Sequence, residues 1–231
     1  MIHLFFDLLA MTCAAGTSWW FSKRYVSGTN TQLPSPQKQY YLASLLLGLV
    51  IGGLLFGTLN LYLSGKMGIA KSMLGGIFGA IIAAETFKVF AGIRRSTGLV
   101  FIPGLIVLIV VGRVGCYMAG LQDFTYGIPT TVAWAVDFGD GVLRHPVQLY
   151  ESLALLLFLV FFLLHYPRHQ PIWQRQGFYV FILFYASQRF VWEFFKPYAD
   201  ILLSLNLFHW ITLLLIGYAL FMACWSQRND A

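Results

Sequence analysis

Residues 101–120 read FIPGLIVLIVVGRVGCYMAG, an apolar run of membrane-crossing length with Arg113 set inside it. A transmembrane helix needs roughly 20 predominantly apolar residues, whereas a charge near the bilayer centre costs about 2.5–3.5 kcal/mol on insertion scales. The run therefore defines a span, and Arg113 must face a wet cavity, a partner or an anionic ligand. No acidic residue stands three or four positions from Arg113, so its partner has to come from another helix, with Glu151 and Glu193 as candidates, or from a ligand.

Working outward, the chain has the composition of a membrane protein: 58% hydrophobic and only 10% charged, with a mean hydropathy of +0.71. Soluble domains carry about 25% charged residues. Apolar stretches at 3–22, 41–63, 69–90, 99–120, 148–165, 177–195 and 208–226 predict an all-α polytopic membrane protein of about seven transmembrane helices, with residues 1–231 as one integral-membrane domain. The first stretch opens MIHLFFD, with Asp7 where a signal peptide carries positive charge, and no small-x-small cleavage site follows, so it is read as a helix. The polar segment KRYVSGTNTQLPSPQKQY at 23–40 reads as a connector.

Lys and Arg set the orientation. The segments after spans one, three, five and seven hold Lys23, Arg24, Lys38, Lys88, Arg94, Arg95, Arg168, Arg175 and Arg228; the other side holds only Lys66, Lys71, Arg144 and Lys196. The N-terminus is expected outside and the C-terminus in the cytoplasm, with a small extracytoplasmic loop at 121–147. The net charge of +6 is then a topology signal, and no nucleic-acid partner is expected. Within 121–147, the alternation Val132, Trp134, Val136, Phe138 before Gly139, Asp140 and Gly141 predicts a hairpin. Cys13, Cys116 and Cys224 have neither disulfide nor metal spacing and read as buried thiols. Gly48, Gly52, Gly53 and Gly57 on span two and Gly75, Gly76 and Gly79 on span three allow close helix packing, the favoured reading over contact with substrate.

Three clusters place charge where a bilayer disfavours it. Arg113 shares a helical face with Cys116 and Tyr117, beside Gly112 and Gly115. Tyr185, Arg189 and Glu193, spaced by four, share another face. In RHPVQLYE, Arg144 and His145 lie at the membrane mouth, and Gln148, Tyr150 and Glu151 begin the fifth span. Glu85 with Lys88 reads as a local interfacial pair, and His165, His169 and His209 carry no assigned role. A guanidinium is permanently charged and its planar fork suits phosphate or carboxylate, so two in the membrane point to an anionic lipid. Channel, transporter and lipid-modifying enzyme all remain open on these grounds.

GRVGCYMAG, RHPVQLYE and RFVWEFFKP, in that order, resemble the prolipoprotein diacylglyceryl transferase family over roughly residues 41–225. The resemblance implies a multi-pass transferase of the bacterial inner membrane, with phosphatidylglycerol, a prolipoprotein lipobox peptide and membrane lipids as partners and no cofactor or metal. It would move the diacylglyceryl group to the lipobox cysteine thiol and release glycerol phosphate. It assigns Arg113 and Arg189 to the lipid phosphate, with Glu193, Tyr185 and His145 as further catalytic candidates. Gly112, Gly115, Arg144, Gln148, Tyr150, Glu151, Gly75 and Gly76 become candidate substrate contacts. Other readings are a paralogue with the same lipid site but a different acceptor, and a noncatalytic phospholipid-binding or transport protein. Three departures bear on this. KSMLGGIFG puts Leu74 where the family has a histidine before the GG pair. Leu121 and Gln122 stand in a segment that is often acidic or cysteine-rich. The outer loop is also short.

Overall fold

The computed structural model describes residues 2–26 and 35–228. Seven long helices dominate: α1 (Ile2–Phe21), α2 (Ser35–Leu63), α3 (Met73–Phe90), α4 (Ile102–Ala119), α5 (Val147–His165), α6 (Gln170–Glu193) and α7 (Leu207–Arg228). Six of them, all but α6, are long and apolar enough to cross a membrane. The chain is a multi-pass helical membrane protein. Helix α6 spans 24 residues, enough to cross, but Gln174, Arg175, Gln176, Gln188, Arg189 and Glu193 dilute its apolar character.

The described residues form two compact units, one containing α1, α4, α5 and α6, the other α2, α3 and α7. In the first, α1 lies along α4 at close range because glycines face it: a Cβ on Gly115 would stand 2.5 Å from Phe6 Cβ. An aromatic knot closes one end, where Phe21 meets Phe162 at 5.4 Å and Tyr166 at 5.0 Å between ring centroids. Helix α5 is tied to α4 by the Ser152 hydroxyl and the Val110 carbonyl, 3.4 Å apart. Its contact with α6 includes the stacked rings of Phe158 and Phe184, 4.6 Å apart.

The loop between α4 and α5 contains the expected hairpin in miniature. Strand β1 (Val136–Asp137) pairs antiparallel with β2 (Leu143–Arg144). Gly139 and Gly141 supply the positive φ of the turn, and Asp137 Oδ1 accepts the backbone N–H groups of Gly139, Asp140 and Gly141. The loop is fastened to the end of α6 by the Ile128 N–H, which donates to the Phe195 carbonyl at 2.8 Å.

The second unit is organised by its glycine seam. A Cβ on Gly48 would meet the Gly79 carbonyl at 2.5 Å, and one on Gly75 would meet Phe56 Cβ at 2.7 Å, so α2 and α3 touch backbone to backbone. Ser72 caps α3 by accepting the Gly75 N–H. A second hairpin, β3 (Asp200–Leu202) with β4 (Leu205–Asn206), precedes α7, whose first turn is capped by Asn206 Oδ1, the acceptor of the Phe208 and His209 N–H groups.

Several expectations need correction. The connector at 23–40 is largely helical where it is described: a π-turn covers Ser22–Val26 and α2 already begins at Ser35, while 27–34 lie outside the described residues. The third helix starts at Met73 rather than near 69, because Gly65 and Gly68 adopt positive φ before the Ser72 cap. Cys13 and Cys224 are exposed rather than buried, since a cysteine is apolar enough to lie on a helix face that meets lipid.

Candidate functional site

Three helices of the first unit converge on one carboxylate. Glu151 projects from the first turns of α5, Arg113 from α4, Arg189 and Glu193 from α6, and Lys196 from the turn that ends α6. Arg113 Nε lies 2.6 Å from Glu151 Oε2. Arg189 Nη1 and Lys196 Nζ share the other oxygen, Oε1, the ammonium at 2.6 Å. Arg189 Nη2 reaches Glu193 Oε1 at 2.5 Å, one helical turn on, and Lys196 Nζ lies 3.6 Å from the same atom. None of the five side chains is more than 8% exposed.

The cluster is unbalanced. Among these described side chains three cations face two carboxylates, a formal surplus of one positive charge within the cluster. An anion of single charge, such as a phosphodiester, would complete it. Two buried polar groups border these charges and have no hydrogen-bond partner among the described residues: the Tyr185 hydroxyl, one turn before Arg189, and the Gln148 side-chain amide, on the same face of α5 as Glu151. Both suit a ligand with oxygen atoms.

Toward the α4–α5 loop lies a second polar group of side chains. Trp134 Nε1 donates to the Tyr150 hydroxyl at 2.7 Å, and that hydroxyl lies 3.2 Å from His145 Nδ1. Aromatic contacts tie this trio to α6: Tyr150 packs on Trp192 at 5.4 Å and His145 on Phe195 at 5.0 Å, each ring next in sequence to a member of the charge cluster.

The other candidates are placed as follows. Arg144 turns away from the cluster to form a two-pronged pair with Asp140, at 2.6 and 2.7 Å, which holds the Asp140 carboxyl below its ordinary range by hydrogen bonding from the guanidinium. Gly112 has open space beside it, while Gly115 receives Phe6. Gly75 and Gly76 face α2 in the second unit, and Leu74 between them and the Ser72 cap is fully buried. Glu85 and Lys88 pair locally at 2.9 Å, with the Tyr218 hydroxyl donating to Glu85 at 2.7 Å. His209 has a structural role, its Nδ1 accepting the Asn206 N–H at 3.1 Å. Sequence reading missed Lys196, counted there as a loop charge. Its signal was the spacing of three from Glu193, which keeps it on the charged face past the helix end.

A buried network of three cations and two carboxylates, set among apolar helices, marks the chain as a multi-pass membrane protein with a charged centre. The comparisons with known proteins give this class a family. A family profile described as prolipoprotein diacylglyceryl transferase matches residues 6–225, and the chain belongs to that family. Among similar proteins are three called phosphatidylglycerol–prolipoprotein diacylglyceryl transferase. That of Ehrlichia ruminantium (strain Welgevonden) is 28% identical over 75% of this chain and 70% of its own length. That of Mesorhizobium japonicum is 30% identical over 78% and 69%, and that of Geobacter sulfurreducens 33% identical over 66% and 62%. No solved structure matches the chain.

Proposed function

We propose that the chain is an enzyme of the bacterial inner membrane that transfers the diacylglyceryl group of phosphatidylglycerol to the thiol of a lipobox cysteine in a prolipoprotein. The observation that carries this reading is the buried cluster of Arg113, Glu151, Arg189, Glu193 and Lys196, one positive charge in excess. Phosphatidylglycerol presents a single phosphodiester charge between an apolar diacylglycerol and a polar glycerol, which matches a site of that charge among apolar helices.

The chemistry uses the cluster directly. The cysteine sulfur attacks the glycerol carbon that bears the phosphate, an S–C bond forms, the C–O bond breaks, and its electron pair leaves on the phosphate oxygen as glycerol phosphate. Negative charge therefore grows on the phosphate. Guanidiniums held in place by Glu151 and Glu193 meet that charge without reorganising, commonly a large catalytic contribution. Tyr185 and Gln148 add donors at the rim. Below the cluster, Ala154, Phe158 and Phe161 of α5 with Val180, Phe184 and Ser187 of α6 line an apolar groove suited to an acyl chain.

With the N-terminus outside, Glu151 in the first turns of α5 lies toward the outer leaflet, the side from which an exported prolipoprotein is presented. The whole chain then acts as one transferase domain. Leu74, which takes no proton, favours a noncatalytic phospholipid-binding protein as the second reading. The test is a transfer assay with purified protein, phosphatidylglycerol labelled in an acyl chain and a lipobox-cysteine peptide. Label on the peptide with stoichiometric release of glycerol phosphate is the expected result. Retained lipid without transfer to that peptide overturns the assignment in favour of the binding reading, and transfer to another acceptor only would assign a paralogue.

A further inference from the structure

Attack by the cysteine requires its thiolate, and a free thiol with pKa near ~8.5 is mostly protonated at neutral pH. Leu74 is a hydrocarbon, so a proton acceptor has to be found elsewhere, and the trio toward the α4–α5 loop has the hydrogen-bond polarity to supply one. An indole N–H can only donate. The Tyr150 oxygen therefore accepts from Trp134 Nε1 at 2.7 Å, and with His145 as its Nε2–H tautomer the phenolic proton is donated to the other neighbour, His145 Nδ1, at 3.2 Å. A neutral imidazole that accepts at Nδ1 carries its proton on Nε2. The basic lone pair of His145 is thus the one that Tyr150 already addresses.

We propose that Tyr150 and His145 form the proton relay that activates the acceptor cysteine, a proposal that rests on the transferase reading. In one concerted step the thiol proton passes to the Tyr150 oxygen while the phenolic proton passes to His145 Nδ1. The sulfur gains the electron pair of its S–H bond and attacks carbon, the phosphate leaves toward Arg113 and Arg189, and the imidazolium afterwards returns its extra proton to water. Tyr150 is the catalytic residue because it meets the thiol. His145 is the proton's destination, and Trp134 is a positioning residue that fixes the phenolic oxygen. Tyr150 and Glu151 leave the first turns of α5 on adjacent faces, and the Tyr150 ring packs on Trp192 at 5.4 Å, so the relay lies at the same helix end as the phosphate cluster. The start of α5 thereby carries both the residue that activates the nucleophile and Glu151, the carboxylate that holds the leaving-group arginines.

The relay is tested by comparing two acceptors, a lipobox peptide with its cysteine and the same peptide with selenocysteine, whose selenol is already ionised at neutral pH and needs no base. Tyr150→Phe keeps the ring packing and removes only the hydroxyl; it and His145→Gln should slow transfer to the cysteine peptide by about 100-fold, the lower range for general-base catalysis. Both should transfer to the selenocysteine peptide at close to the wild-type rate, which also shows that the variants are folded. Trp134→Phe should slow the cysteine reaction by about 5-fold, the scale of one neutral hydrogen bond, with the loss in kcat rather than KM. Arg113→Ala, which affects the leaving group, should lose both reactions alike. Equal losses on the two peptides in Tyr150→Phe, or an unimpaired cysteine reaction, overturn the relay. A wild-type protein that transfers to neither peptide overturns the transferase reading itself, and the relay with it.

Discussion

The two units solve the same problem, packing apolar helices against one another in a membrane, in opposite ways. Helices α2 and α3 meet through glycines, with backbone against backbone, and the described ion pair of that unit, Glu85 with Lys88, is local to α3. Helices α4, α5 and α6 meet through five ionisable side chains whose burial is expensive even when paired. Replacing buried ion pairs by well-packed apolar residues is often neutral or stabilising, so a seam like that of α2 and α3 would hold α4, α5 and α6 together as well as charges do. On the proposed reading the charges serve a bound lipid, while the glycines bring the two backbones together.

This contrast can be broken at either end. The largest effect is expected from Arg113→Ala: turnover should fall by about 10²–10³-fold, the cost of removing one donor to a developing negative charge, while the protein remains inserted, since Arg189 and Lys196 still neutralise Glu151. Kinetics together with membrane fractionation check this. Gly79→Leu should do the reverse in kind. Its side chain would be driven into the backbone of Gly48 and Gly52, so stability should drop by about 3 kcal/mol, the upper end for overpacking, seen as a lowered Tm in detergent. Arg189→Lys keeps the charge but loses the fork that spans Glu151 and Glu193. A 10- to 100-fold loss of transfer is expected, the scale of about 1.5–3 kcal/mol for a charge-assisted hydrogen bond, with little change in Tm.

The smallest effect concerns the exposed pair of Arg144 and Asp140, the surface counterpart of the buried cluster. Because hydrogen bonding from Arg144 lowers the Asp140 pKa, the pair contributes above the ordinary carboxylate range near ~3.9 and is lost as pH falls through the lowered folded value. Hydrogen-exchange protection in the β1–β2 hairpin, the rate taken relative to the intrinsic rate at each pH, should therefore be constant around neutral pH and fall only in acid. Asp140→Asn should remove that acid step and leave transfer unchanged.

The seven helices were legible in the sequence because apolar length is a strong signal, and α6 was the least regular for a readable reason, its charged face. Arg113 was legible as a residue in need of a partner, with Glu151 one of two candidates, but spacing along one chain does not say which helices meet. The β3–β4 hairpin was not legible. Its turn places Leu203 and Ser204 at positive φ, where Asn-Gly or Gly is the usual signal, so tertiary context overrides local preference there. Lys196 was hidden because its position next to Pro197 looks like the start of a loop, although the turn carries it back onto the charged face. The grouping of Trp134, Tyr150 and His145 could not be read from RHPVQLYE alone, since Trp134 lies 16 residues from Tyr150 and the hairpin loop brings it back.

On the proposed function the buried cluster recognises a lipid phosphate. The most direct test of this reading is retention of phosphatidylglycerol against diacylglycerol, which has the same acyl chains and no phosphate, by wild type, Arg113→Ala and Arg189→Lys, read by native mass spectrometry from detergent. The wild type should keep phosphatidylglycerol in strong preference, and both variants should lose most of that preference while still taking up diacylglycerol. Equal retention of the two lipids by the wild type, or an undiminished preference in Arg113→Ala, would contradict it.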